Sequence, residues 1–239
     1  MKISDLNSKG RLSKDVEHER SWRLLMDSTE SDAAEKMFQA ALDCRFPPKT
    51  GIPAIILDAW EFASQIDYRH GNMPSRIYLN HPLRVASIIT REVPDATEET
   101  CAIALLHNVL EVSSVSSSEI GARFGLPVSM AIQALTVDRN RRDKEYLKEY
   151  YSHIEETSVE CEQVKVADKL DNIYMICFNP SSDVRSSYLD EIDECVIPMA
   201  SRIAPELGIR MKEVSTVMRS LGFIQRDEEM EKIRQEAMI

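Results

Sequence analysis

The chain is short of the residues that interrupt helices, with seven glycines in 239 residues. No stretch alternates apolar and polar residues for more than a few positions, which excludes a strand-built fold. No apolar run approaches the roughly 18 residues needed to cross a bilayer, and the opening residues 1–10 have no apolar core of signal-peptide length. The expectation is a soluble, cytoplasmic protein without a membrane partner. The five cysteines, at 44, 101, 161, 177 and 195, are odd in number, scattered and free of any Cys-x-x-Cys pair. That excludes a disulfide framework or zinc knuckle and leaves reduced thiols. Positive charge is also in deficit: 29 Lys and Arg against 40 Asp and Glu give a formal charge of −11. A broad nucleic-acid surface is excluded by phosphate repulsion, though a local basic pocket is not.

What remains is a 43% hydrophobic chain patterned for helices. Residues 14–26 and 31–44 read as two helices, the second with Ser31 as N-cap and an apolar stripe of Ala34, Met37, Phe38, Ala41 and Leu42. Pro47, Pro48, Gly51 and Pro53 break the pattern and mark a boundary. Helices follow over 54–68 and 83–92, the latter opened by Pro82, and one capped by Asp95 runs through Glu111. Ser116 and Glu119 form a capping box, and Gly125 closes that helix. Further helices are expected from Pro127, after the charged run 138–144, over 159–178, over 186–207 and, past Gly208, over 209–221. Residues 226–236 read as a solvated helical tail. The fold class is all-α: a compact bundle at 51–180, an N-terminal helical extension at 1–50, and C-terminal helices at 181–239 that complete the core and can pair with a second copy.

One helix carries chemistry. Ala104-Leu-Leu-His-Asn-Val-Leu-Glu111 sets His107, Asn108 and Glu111 in an apolar run, and polar groups so placed need partners. Tyr78-Leu-Asn-His-Pro82 and Val164-Lys-Val-Ala-Asp-Lys-Leu-Asp-Asn172 offer them. His81, His107 and Asp168 together have the composition of a metal site. Singly, each has a plainer reading: His81 as a helix cap, His107 as a satisfied core histidine, Asp168 with Lys165 and Lys169 as an ion-pair face.

Those three blocks, with Phe-Gly-Leu-Pro-Val at 124–128 and Ala-Leu-Thr at 134–136 in between, resemble the HD superfamily. The order and wording are most similar to the hydrolase domain of the RelA/SpoT-type alarmone enzymes and their small single-domain relatives, over residues 55–180. The resemblance implies an HD-type helical core holding one divalent metal, usually Mn²⁺, through His81, His107, Asn108 and Asp168. It also implies hydrolytic removal of pyrophosphate from the 3′ position of a guanine nucleotide, with Glu111 assisting the attacking water and Asn172 at the nucleotide sugar. Lys165, Lys169, Arg139 and Arg142 are candidate phosphate contacts, and Arg76 a candidate nucleobase contact. Bifunctional members carry a synthetase domain after this one, and the length here leaves no room for it, so hydrolysis without synthesis is expected.

Two departures from the pattern matter. Asn108 stands where the family has aspartate, and Val112 where it has a second acidic residue after Glu111. The first keeps an oxygen but removes a charge: two neutral imidazoles and one carboxylate leave a divalent ion at a formal charge of about +1. Weaker metal retention is expected. The alternative to a phosphohydrolase is therefore a degenerate domain that binds a nucleotide or protein partner without turnover.

Overall fold

Helix signals along the chain are realised almost end to end in the computed structural model, which describes residues 3–28, 32–138, 141 and 143–236, with side chains from residue 14 onward. The helices are α1 (Ile3–Met26), α2 (Ala33–Arg45), α3 (Ala54–Gln65), α4 (Ser75–Tyr78), α5 (Asn80–Glu92), α6 (Glu98–Leu106), α7 (Val109–Val112) and α8 (Ser117–Phe124). They continue as α9 (Leu126–Leu135), α10 (Lys144–Thr157), α11 (Val159–Ile173), α12 (Ser182–Glu191), α13 (Ile197–Ile203), α14 (Pro205–Leu221) and α15 (Arg226–Glu236). Among the described residues there is no strand, only an isolated bridge between His70 and Met73. No helix among them is long and apolar enough to cross a membrane.

Side chains that must leave water decide the layering. Helices α5, α6 and α11 are buried along nearly their whole length and pack on one another at the centre. Around them α2 covers α5, α3 covers α6, and α9, α10, α13 and α14 cover α11. Phe38 is fully buried on α2 and meets Trp60 edge-to-face at a centroid distance of 5.1 Å. Arg45 at the end of α2 donates to the carbonyls of Thr90 and Val93, satisfying the C-terminal turn of α5, whose last oxygens have no partner within the helix.

Several boundaries differ from those read in the sequence. Thr97, not Asp95, caps α6, through a capping box with Thr100; Asp95 lies in the turn before it and accepts from Gln163. The expected N-cap Ser31 lies outside the described residues. The helix expected to run through Glu111 stops at Leu106, and α7 begins at Val109. Gly208 does not separate two helices. The break is at Ala204–Pro205, where proline suits a first helical turn, and Gly208 sits inside α14 because a Cβ there would come within 3.0 Å of the Ser201 nitrogen on α13. The expected single helix over 186–207 is in fact α12, a π-helical turn at Ile192–Val196, and α13.

The C-terminal tail is also not simply solvated. Met230 and Ile233 of α15 bury against Leu24 of α1, Glu229 pairs with Arg20 in a buried ion pair, and Lys232 pairs with Glu17. The two ends of the chain thus form a clasp on one side of the bundle.

Candidate metal centre and its cavity

The break between α6 and α7 solves a geometric problem. Adjacent residues of a continuous helix point about 100° apart, so His107 and Asn108 could not both face one point. With Asn108 out of helical geometry, at φ −116° and ψ 8°, both line the same cavity, as does Glu111. That cavity encloses about 440 Å³, within the usual range for small-molecule sites.

At its floor His81 Nε2 and His107 Nε2 lie 3.2 Å apart, and Asp168 Oδ1 lies 3.3 Å from the first and 3.7 Å from the second. Each imidazole is turned by its other nitrogen. His107 Nδ1 is 2.8 Å from the Ala104 carbonyl, and His81 Nδ1 is 2.8 Å from Asp171 Oδ2. Both of those oxygens only accept, so the ring protons sit on Nδ1 and the Nε2 lone pairs face each other. Two lone pairs at that distance repel unless a proton or a cation lies between them. Donors held at about 2.1 Å from one ion stand roughly 3.0 to 3.4 Å apart at angles between square and tetrahedral, which brackets two of the three spacings, and about 3.6 Å apart at 120°, close to the third. The residues therefore fit a divalent cation. Asn108 adds a further sign of fit: its Nδ2 donates to the Tyr78 hydroxyl at 2.6 Å, while its Oδ1 is buried with no hydrogen-bond partner.

Behind the donors stands a layer of oriented charge. On α5 and α11 two rungs form one helical turn apart, His81 to Asp168 and Arg84 Nε to Asp171 Oδ1 at 3.0 Å. Arg23 of α1 reaches the same Asp171 oxygen at 2.9 Å, and Arg84 also holds Asp27 at 2.6 Å. Burial alone would raise the Asp171 carboxyl, but Arg84, Arg23 and His81 overcome it and hold it far below the ordinary carboxylate range. Asp168 is buried too, and Lys165 with the two imidazoles keeps it ionised. Burial pushes the His81 imidazole down, yet the Asp168 and Asp171 carboxylates beside it outweigh that and raise it to about 9.

The other residues singled out in the sequence fall into three groups. Asn172, Lys165 and Lys169 line the cavity, but each has a protein partner. Asn172 Nδ2 donates to Asp168 Oδ1 at 2.7 Å, Lys165 Nζ lies 3.0 Å from Asp168 Oδ2, and Lys169 Nζ lies 2.7 Å from Glu191. Glu111 lines it as well, one oxygen accepting from the Val137 amide at 3.1 Å. Arg76 is not brought to the cavity: it pairs with Glu35 of α2 at the surface, because α4 turns that side chain toward α2. Arg139 and Arg142 lie outside the described residues. Val112 is buried in the core and does not line the cavity. His70 also stands at the cavity, beside the Tyr78 ring. Residues missed in the sequence include Asp171 and Arg84, each three positions after a proposed ligand on the same helix and findable by that spacing, and Arg23 and Arg226, which carry no local signal.

No family model matches the chain. Over 122 residues it is 30% identical to the guanosine-3′,5′-bis(diphosphate) 3′-pyrophosphohydrolase MESH1 of Danio rerio, a match spanning 50% of this chain and 68% of that protein. To the GTP pyrophosphokinase rsh of Brucella ovis it is 30% identical over 160 residues, 63% of this chain and 20% of that one. Among solved structures, a metazoan ortholog of SpoT described as hydrolysing ppGpp aligns with TM-score 0.58 at 23% identity, covering 72% of this chain and 99% of that one. This last likeness establishes the fold.

Proposed function

This chain belongs to the family of MESH1-type and RelA/SpoT-like hydrolases of the HD superfamily, and from that premise we propose that it removes the 3′-diphosphate of a guanosine-3′,5′-bis(diphosphate)-like nucleotide. The observation that carries the reading is the convergence of His81, His107 and Asp168 donor atoms within 4.8 Å, beside the orphaned oxygen of Asn108. Those four residues would hold one divalent ion, assigned as Mn²⁺ from the family resemblance. When bound, such an ion supplies Lewis-acid chemistry, polarising a phosphoryl oxygen and acidifying water.

The remaining steps belong to the chain. Glu111, steadied by the Val137 amide, accepts a proton from water as its oxygen attacks the phosphorus bonded to the ribose 3′ oxygen. The bond from that phosphorus to the 3′ oxygen breaks, its electron pair passes to the sugar oxygen, and the proton that Glu111 took from water is returned to complete the 3′ hydroxyl, which regenerates the carboxylate. The products are pyrophosphate and the nucleoside 5′-diphosphate. Asn172 and Lys165 keep the Asp168 carboxylate oriented and charged during this exchange.

The test is release of pyrophosphate from guanosine-3′,5′-bis(diphosphate) by the purified chain with Mn²⁺. His107→Ala and Asp168→Ala are expected to abolish it, and their bound metal, measured by elemental analysis, is expected to fall with it. Undiminished turnover in either variant would overturn the assignment. A second reading, binding without turnover, is favoured by the carboxamide at Asn108 and by the buried, apolar Val112. It predicts saturable nucleotide binding with no product in excess Mn²⁺.

A further inference from the structure

A substrate with two diphosphate groups brings several negative charges into a cavity whose cations are largely spent. Lys165 is committed to Asp168, Lys169 to Glu191, and Arg84 to Asp171 and Asp27. One further cation lines the same cavity, Arg226, and among the described residues it has no hydrogen-bond or ion-pair partner. It is exposed, whereas His107 and Asp168 are buried and His81 is half-buried, which sets Arg226 toward the mouth of the cavity and the donors toward its floor. Arg226 opens α15, which lies beyond the core block 55–180 and is held in place by the clasp of Leu24, Met230 and Ile233 and by the Arg20–Glu229 pair.

We propose that Arg226 binds the substrate's non-reacting 5′-diphosphate. The inference rests on the hydrolase reading above and deepens it. If the 3′-diphosphate sits at the metal donors, the group on the opposite side of the ribose is directed to the mouth, where this guanidinium, unpartnered among the described residues, offers the planar fork that matches phosphate oxygens. The C-terminal helix then contributes specificity: it selects nucleotides that carry a second polyphosphate, and its docking on α1 sets where that contact is made.

The experiment uses the full chain with Mn²⁺ and does not depend on turnover. Affinity for guanosine 5′-diphosphate, which carries the proposed group and no other phosphate, is measured by calorimetry in the wild type, Arg226→Ala and Arg226→Lys. Arg226→Ala is expected to weaken binding roughly tenfold and Arg226→Lys to retain part of it, with Mn²⁺ content unchanged in both. In parallel, KM is compared for guanosine-3′,5′-bis(diphosphate) and for the analogue with a single 5′ phosphate. The wild type should prefer the former, and Arg226→Ala should erase the preference with kcat within about twofold. Equal nucleotide affinity in wild type and Arg226→Ala, or no nucleotide binding by the wild type, overturns the role of Arg226. Binding that follows the predicted order without any pyrophosphate release overturns the hydrolase reading and leaves the Arg226 contact standing.

Discussion

Restoring the missing charge is the sharpest perturbation available: Asn108→Asp. In the present site two imidazoles and Asp168 face the ion position, and Asn108 adds only a dipole through its buried Oδ1. The geometry can absorb the exchange. Asn108 Nδ2 now donates to the Tyr78 hydroxyl at 2.6 Å, and a hydroxyl can donate as readily as it accepts, so an aspartate would keep that partner with the roles reversed. The gain is electrostatic. One added unit charge about 4 Å from another is worth about 4 kcal/mol at an effective dielectric near 20. Against this stands the cost of holding another carboxylate in a site where Asn108 is 6% exposed, a cost of several kcal/mol before compensation. A net gain of about 1.4 to 2.8 kcal/mol, or 10- to 100-fold in metal affinity, is expected.

The assay is a Mn²⁺ titration of metal-stripped protein by calorimetry, paired with thermal melts in chelator and in excess Mn²⁺. Asn108→Asp should melt lower than the wild type in chelator, because the added carboxylate is then uncompensated beside Asp168, and should melt higher in Mn²⁺. Asn108→Ala provides the opposite arm, with affinity lowered about tenfold by loss of the oxygen. If Asn108→Asp binds Mn²⁺ no tighter than the wild type, or if Asn108→Ala matches it, position 108 is not a ligand and the charge argument is refuted.

Three further outcomes follow from groups around the centre. Asp171→Asn should cost about 3 to 5 kcal/mol in denaturant unfolding, because it strips the carboxylate from two buried guanidinium groups, Arg23 and Arg84, and should weaken metal binding about 10- to 100-fold through loss of the His81 anchor. Glu191→Gln removes the partner of Lys169 and should cost about 1 to 3 kcal/mol at neutral pH. Burial pushes the Glu191 carboxyl up, but Lys169 and the Tyr151 hydroxyl more than reverse this and hold it below 4.5. Its stabilisation is therefore present above that value and is lost as pH falls through the lower folded value, so the stability gap between wild type and Glu191→Gln should close on acidification; a gap that widens would reverse the sign of the argument. Leu24→Ala should loosen α15 without unfolding the core, read as faster proteolysis near residue 225 and faster hydrogen exchange confined to α1 and α15.

Much of the architecture is legible because it is governed by local pattern. An apolar stripe sets α2, a capping box sets the start of α8, and scarce glycine leaves few places to stop. The blocks around His81, His107 and Asp168 also announce themselves, since each sits in an apolar helix where a polar group demands a partner. Illegible were the features that depend on distant segments. The interruption at His107–Asn108 has no glycine or proline to announce it; it becomes visible only when both side chains must reach one cavity. Gly208 reads as a stop in sequence, yet in the fold it is a contact position where α13 and α14 approach too closely for a side chain. Arg23 and Arg226 are ordinary surface residues by composition, and only the clasp between the chain's two ends gives them a place near the centre.

That clasp bears on how a core of this kind would work with a carboxamide in place of a carboxylate at Asn108. The floor of the cavity holds its protein cations in balanced pairs, so apart from a bound ion the side chains there offer an anionic substrate little free positive charge. Asp171 illustrates the cost: two guanidinium groups, one from α1, are spent on fixing the direction of a single imidazole. Charge used to orient a ligand is not available to bind phosphate, and the shortfall must be met from outside the paired set. Arg226 meets that condition, and it does so from a helix anchored through Leu24 and Arg20 to the same α1 that supplies Arg23. Orientation of the metal donor and capture of the polyphosphate would then share one support, so loosening α1 should weaken both metal retention and nucleotide affinity together, whereas Arg226→Ala should weaken only the second.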